Sequence, residues 1–249
     1  MKTLILGGTG EARELARIAS GAPGFDIVSS LAGRVRDPVL PVGAVRVGGF
    51  GGVAGLSEWL VANGIEAVVD ATHPFAGTIS ANAAVATRAL GLPLVHLRRP
   101  GWRAGPDDRW IRVPDLTAAA KTVAEQGERV FLTIGRQGVA AFADLRRPWF
   151  LIRAIDPPAD ALPPRHELLL ARGPFTLGEE ARLLARHRID LLVTKDSGGA
   201  PTAAKLVAAR AAGVPVVVIE RPPLPEGAVA LETVAQVWEW LRARRSAVE

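Results

Sequence analysis

The feature that most constrains this chain is an alternation of short apolar runs with segments of helical period, sustained through most of its 249 residues. Strand-length runs fall at Lys2 to Leu6, Asp26 to Ser30, Ala44 to Val47, Ala67 to Asp70 and Leu94 to Leu97. Others follow at Trp110 to Val113, Arg129 to Ile134, Trp149 to Arg153, Glu167 to Ala171, Leu191 to Thr194 and Val214 to Ile219. Strands separated by helices need crossover connections, so the pattern predicts an α/β fold with mainly parallel sheets covered by helices. These are too many strands for one small sheet. The segment Arg98 to Asp108, with two prolines, two glycines and five charges, interrupts the alternation and predicts a boundary between units 1–99 and 100–249.

Helical segments carry their own punctuation. Glu11 to Ser20 places Ala12, Leu15, Ala16 and Ala19 on one face, and Asp115 to Gln126 ends at Gly127. Thr176 with Glu179 forms a capping box that opens a helix running to about His187. In the tail, Thr233 to Arg245 sets Val234, Val237, Trp238 and Leu241 on one stripe, which reads as core.

Two zeros in the composition exclude chemistry. Without cysteine there are no disulfides, thiol nucleophiles or Cys-ligated metals, and the four histidines never fall at a metal-ligand spacing, so no metal is expected. Without tyrosine, the Tyr-x-x-x-Lys chemistry of short-chain dehydrogenases is closed. The formal charge is +5 and all but four of the 30 basic residues are arginine. Guanidinium forks suit carboxylates and phosphates, although coding bias also explains the excess. No interleaving of aromatic and basic residues supports nucleic-acid binding. No apolar run approaches the length of a membrane helix and no secretory leader opens the chain, so a cytoplasmic protein is expected.

In parallel α/β sheets, ligands collect where strands end. Gly7, Gly8, Thr9, Gly10, Glu11 and Ala12 follow the first strand and open the first helix, the context in which backbone N–H groups receive a pyrophosphate; a plain tight turn is the alternative. The third glycine of the usual dinucleotide fingerprint is replaced by Arg13. About twenty residues further on, where an NAD site places an acid, stand Ser30 and then Arg34, a pair suited to a 2′-phosphate and hence to NADP. Gly48 to Gly52 surround Phe50, either to face a flat ligand, with Gly51 close by, or as a flexible loop. Asp70, Thr72 and His73 end the fourth strand, and His73 is a candidate proton donor or a hydrogen-bonded loop histidine. In the second half, Thr133 to Gly138, with Arg136 and Gln137, and Thr194 to Gly199, with Lys195, Asp196, Ser197 and Gly198, offer donors that suit carboxylates. Neither is a Walker phosphate loop, and no nucleophile elbow occurs.

Taken in order, ILGGTGEAREL, SLAGR, GGFGG, DATHPFA, LRRPGW, LTIGRQ and TKDSGG, from residue 5 to 199, resemble the precorrin-6A (precorrin-6x) reductase family of cobalamin (vitamin B12) biosynthesis. The resemblance implies two Rossmann-like domains with an interdomain cleft, NADPH as cofactor, and reduction of a C=C bond of precorrin-6A to give precorrin-6B. A related branch reduces the cobalt-containing macrocycle with NADH; Ser30 and Arg34 favour the NADPH side. A non-catalytic NADP-binding sensor is a reading from another class, but TIGRQ and TKDSGG are intact.

With that substrate, the turn from Gly7 to Gly10 and the backbone of Glu11 hold the pyrophosphate, while Thr72 and His73 flank the nicotinamide. Phe50, Gly51, Arg136, Gln137, Lys195, Ser197 and Gly198 are the expected macrocycle contacts, with Arg136, Lys195 and Ser197 clamping its carboxylates. The completing proton comes from His73, Lys195, Asp196 or water. The expected partner is the small-molecule tetrapyrrole, with hand-over of product to the next pathway enzyme and no membrane or nucleic acid.

Overall fold

The computed structural model describes residues 1–33 and 39–246. Contacts divide the chain into two compact units, one of Met1–Pro100 with the segment from Pro222 onward, the other of Gly101–Arg221. The chain leaves its first unit after Pro100 and returns to it at Pro222, whereas the sequence pattern groups residues 222–249 with the second.

The first unit holds strands β1 (Lys2–Leu6), β2 (Asp26–Leu31), β3 (Ala44–Val47), β4 (Ala67–Asp70) and β5 (Leu94–Leu97), with helices α1 (Gly10–Ser20), α2 (Gly52–Ala62) and α3 (Gly77–Leu90) between them. The second holds β6 (Trp110–Val113), α4 (Leu116–Gln126), β7 (Arg129–Thr133), β8 (Trp149–Ala154), β9 (His166–Leu170), α5 (Leu177–Arg186), β10 (Leu191–Lys195), α6 (Ala204–Ala211) and β11 (Val216–Ile219). The tail adds β12 (Ala230–Leu231) and α7 (Val234–Ser246) to the first unit. Strand β11 begins two residues later than its apolar run because Pro215 has no N–H for the ladder, though its carbonyl still accepts from Leu192 N–H at 3.0 Å.

Each unit has one six-stranded sheet, β3-β2-β1-β4-β5-β12 and β9-β8-β7-β10-β11-β6. Every pairing is parallel. Both orders are the doubly wound 3-2-1-4-5-6 arrangement, with β7 in the second unit standing where β1 stands in the first. In each, the sixth position is filled by a strand from outside the run of five: β12 arrives after the second unit, and β6 precedes its own.

The strand period of two divides the first core. Ile5, Val69 and Val95 face α1 and α7 through Ala12, Leu15, Val237 and Leu241, while Leu4, Leu6 and Val68 face α2 and α3 through Leu56, Leu60 and Ala83. The tail stripe is thus core as expected, and Trp238 joins it against Phe25. In the second unit Phe131, Leu151, Leu192 and Val218 pack with Leu184 of α5 and Leu206 of α6. No helix among the described residues is long and apolar enough to cross a membrane.

Candidate functional site

In a doubly wound sheet the strand order reverses between the first and fourth strands, and the crevice outside their carboxyl ends is the ligand position. In the first unit that edge lies after β1 and β4. Gly7 N–H donates to Ser30 O at 2.9 Å, which ends the ladder and releases the chain into the turn. Gly8 follows at φ +112°, a conformation closed to most side chains, and a Cβ there would meet nothing within 4 Å. The backbone therefore lies open on this side. Thr9 then caps α1: its hydroxyl accepts from Ala12 N–H at 3.1 Å and donates to Ala71 O at 2.7 Å, tying the turn to the segment after β4. An eleven-residue helix starts here with its dipole aimed at the turn. Glu11 stands in its first turn, and both its oxygens accept from Arg99 Nη1, at 2.9 and 2.8 Å. That pairing offsets the negative charge that Glu11 places in the first turn of α1.

At the end of β2, Ser30 is buried and meets Arg46 of β3, whose Nη1 donates to its hydroxyl at 3.2 Å. The Arg46 guanidinium also donates to Gly48 O at 2.6 Å and Gly49 O at 2.7 Å, and it lies 3.6 Å from the centre of the Phe50 ring. Phe50 is held edge-on by Trp59, and Gly51 caps α2. Phe50 and Gly51 thus stand at the β2–β3 edge of the first unit, beside Ser30. Arg34 lies outside the described residues.

At the end of β4 the parallel register sets Asp70 beside His96 of β5. Both are buried, and His96 Nδ1 lies 3.0 Å from Asp70 Oδ2. The other carboxylate oxygen accepts from Thr72 N–H at 3.1 Å and from the Thr72 hydroxyl at 2.6 Å. Burial alone would raise the Asp70 pKa, but hydrogen bonds from His96, Ser80 and Thr72 outweigh it and hold the carboxyl below its usual range. His73 is half-buried in the next turn, where its Nδ1 accepts from Phe75 N–H at 3.3 Å, so its Nε2 carries the proton in the neutral ring.

The second unit's corresponding edge lies after β7 and β10. Thr133 donates to Val193 O at 3.0 Å, bracing the two strands. Gly135 then opens a 3-10 helix over Arg136–Phe142, with no side-chain cap. Arg136 is half-buried there and Gln137 exposed. After β10, burial pushes the Lys195 ammonium below its ordinary pKa, and Ser197 N–H returns to Lys195 O at 2.7 Å. Asp196 is buried; its carboxylate accepts from Trp102 N–H at 2.9 Å and lies 3.5 Å from Arg112 Nη1, while Arg221 Nε donates to its carbonyl at 2.6 Å. Gly198 is buried and precedes Gly199, whose carbonyl accepts from Trp102 Nε1 at 3.0 Å.

The structure thus gathers Gly7, Gly8, Thr9, Gly10, Glu11, Ala12, Ser30, Asp70, Thr72 and His73 along one edge of the first sheet, and Arg136, Gln137, Lys195, Asp196, Ser197 and Gly198 along one edge of the second. Sequence reasoning missed Arg46, His96 and Arg99. Arg46 and His96 lie within two residues of a motif that it did single out, Arg99 lies inside LRRPGW, and strand pairing brings the first two into place.

A sequence profile described as precorrin-6x reductase CbiJ/CobK matches residues 2–242. A protein of Rhodococcus erythropolis named precorrin-6A reductase is 58% identical over 96% of this chain and 97% of its own length. One of Priestia megaterium named cobalt-precorrin-6A reductase is 28% identical over 91% and 92%. A solved structure titled CobK precorrin-6A reductase superposes with a TM-score of 0.91 at 43% identity, covering 98% of this chain and 96% of the other. The chain therefore belongs to the precorrin-6x reductase CbiJ/CobK family of reductases.

Proposed function

We propose that this chain reduces precorrin-6A to precorrin-6B, with NADPH as the hydride donor. The observation that carries the reading is the turn after β1. Gly8 leaves the backbone open to close approach, and α1 directs its capped N-terminus at the same place. Gly7, Gly8, Thr9, Gly10 and the amides of Glu11 and Ala12 would hold a pyrophosphate. Ser30 with Arg46, and Arg34 from the sequence, would take a 2′-phosphate; a guanidinium already aimed at Ser30, where an NAD site would carry an acid, supports NADPH over NADH. The residues therefore fit the cofactor.

NADPH, when bound, supplies the hydride of the reduction. The chain's own contribution is to position and to protonate. Thr72 and His73 stand at the β4 edge, where a doubly wound sheet extends the nicotinamide end of its ligand. His73 Nε2–H, Lys195 or water delivers the proton that completes C=C reduction; a lysine whose pKa is lowered by burial gives up its proton more readily. Arg136, Gln137, Lys195, Ser197 and Gly198 take the substrate's carboxylates, and Phe50 and Gly51 keep the same assignment to the macrocycle. Asp196 is committed to Trp102 and Arg112, so we assign it to holding the loop rather than to proton delivery.

A relative named for the cobalt-free substrate is 58% identical, and two named for the cobalt form are 28% and 30% identical, which supports precorrin-6A. The test is an anaerobic assay of the purified protein with precorrin-6A or its cobalt form and NADPH or NADH, following nicotinamide oxidation and the macrocycle spectrum. Turnover should require precorrin-6A and NADPH, and Arg46→Ala should narrow the preference for NADPH over NADH by about tenfold, the worth of one charge-assisted contact. Equal turnover with NADH, unchanged in Arg46→Ala, would remove the cofactor assignment.

A further inference from the structure

His96 is 2% exposed and Asp70 4% exposed, side by side at the ends of β5 and β4. Burying an ionised carboxylate costs several kcal/mol unless its partners are well placed, and an apolar pair at this register would pack as well. The pair therefore needs a reason beyond stability. Its geometry supplies one. A carboxylate only accepts, so the proton on the 3.0 Å contact belongs to His96 Nδ1, which fixes the ring and leaves Asp70 Oδ1 turned to Thr72. In that tautomer His96 Nε2 is an acceptor, buried without a hydrogen-bond partner among the described residues. A cavity of about 20 Å³ lies beside the pair, lined by Thr72, His73, Ser80 and Arg98 as well as Asp70 and His96. This is room for a single water.

We propose that His96 is a positioning residue for the reductase site: through Asp70 it fixes the Thr72 amide and hydroxyl, and so sets the turn from Ala71 to Ala76 on which His73 stands. The inference rests on reading the β4 edge as the nicotinamide end of the cofactor site. His96 touches neither cofactor nor substrate in this scheme. Its removal acts on the alignment of Thr72 and His73 more than on the pyrophosphate turn, which Thr9 caps through Ala12 N–H and joins to this segment only at Ala71 O, where Ala71 N–H is itself anchored on Leu6 O.

The test compares His96→Leu with His96→Asn, whose side-chain N–H can replace Nδ1–H toward Asp70. At saturating NADPH, His96→Leu should lower kcat about 10- to 100-fold, the scale of a displacement of roughly an ångström, while NADPH affinity from nicotinamide fluorescence moves less than about threefold. His96→Asn should recover most of that kcat. Equal losses in both variants, or a loss of NADPH affinity matching the loss of kcat, would overturn the positioning role. Nitrogen-15 NMR of the wild-type histidines tests the pair even if His96→Leu fails to fold. A protonated Nδ1 on His96 is expected, and the Nε2–H tautomer would overturn the proposal. Wild-type protein that neither binds NADPH nor turns over would instead remove the functional reading, while the NMR result would still report on the pair.

Discussion

The two sheets share one strand order, yet the turns at their reversal points differ in kind. After β1 the chain passes through an open glycine into a capped α-helix of eleven residues. After β7 it passes through Gly135 into an uncapped 3-10 helix of seven residues, whose hydrogen-bond geometry is poorer and whose N-terminus carries no such aligned dipole. After β10 another short 3-10 turn, Ala200–Thr202, precedes α6. The second edge offers side-chain cations instead, Arg136 and Lys195. In the function proposed above, one fold thus offers anions two surfaces, one built from backbone and one from side chains. The first suits an invariant pyrophosphate, and the second suits several carboxylates spread around a macrocycle.

The largest expected effect comes from filling the open glycine. Gly8→Val places a branched side chain where backbone must approach the ligand, at a φ that such residues avoid. NADPH affinity should fall about 100-fold, roughly 2.7 kcal/mol. Gly135→Ala, at φ +74° with nothing within 4 Å of its Cβ, is a smaller change at the corresponding turn of the second unit. It should leave NADPH affinity within about twofold, under 0.5 kcal/mol. Fluorescence titration of both variants reads the comparison directly. If Gly135→Ala loses as much affinity as Gly8→Val, the distinction between the two turns is wrong.

Why the first turn was readable in the sequence and its surroundings were not follows from the range of each interaction. Apolar runs such as Ala67 to Asp70 announce a strand buried on both faces, and a cap such as Thr9 acts within three residues of itself. Strand order is not local. His96 looked like an unremarkable residue in a short strand until β4 and β5 became neighbours, and only then did Asp70 stand beside it. Arg46 reaches the Ser30 hydroxyl only because β3 pairs with β2. The tail's stripe of Val234, Val237 and Leu241 said that α7 is buried but not against which sheet. The two-residue strand β12, pairing Ala230 with His96 and Leu231 with Leu97, decided that, and it is too short to leave a pattern.

Buried charge separates the units further. In the first, Asp70 and His96 lie at the strand ends. In the second, Arg153, Glu180 and Lys205 are buried together under α5 and α6, with Arg153 Nη1 donating to Glu180 Oε1 at 2.7 Å. Lys205 Nζ donates to Thr202 O at 2.8 Å and lies 4.8 Å from the centre of the Trp102 ring. Burial first, and then Arg153, push Lys205 down to about 7, with Glu180 acting the other way. An unfolded lysine titrates near 10.4, so between pH 7 and about 10.4 the unfolded chain holds a proton that the native state does not. Stability from this group therefore rises with pH across that window; it is lost as pH falls from about 10.4 toward 7 and changes no further below 7. From pH 7 to 9 the gain should be roughly 2 to 3 kcal/mol. Denaturant unfolding of the wild type should show that slope, and Lys205→Met should flatten it. An unchanged slope in the variant would place the lysine in a solvated position.

The smallest effects come from two threonine caps that do the same local job in different places. Thr9 caps α1 and also donates to Ala71 O, whereas Thr176 caps α5 in a reciprocal box: its hydroxyl accepts from Glu179 N–H at 3.3 Å while its own N–H donates to Glu179 Oε2 at 2.8 Å. Removing an N-cap costs about 1 kcal/mol, and the buried bond to Ala71 adds about 1 kcal/mol more for Thr9→Ala. Thr176→Ala should cost about 0.5 to 1 kcal/mol, since its box is exposed and water takes over part of the capping. In unfolding experiments the two variants thus differ by about two- to fourfold in cost. Activity should separate them more clearly. Thr9→Ala loosens the turn that carries the cofactor, so its KM for NADPH should rise several-fold with kcat nearly kept, a loss of binding common to ground and transition states. Thr176→Ala should leave both constants at wild-type values. A shift in KM for NADPH in Thr176→Ala equal to that in Thr9→Ala would mean that cofactor affinity follows global stability, and the backbone turn after β1 would lose its special standing.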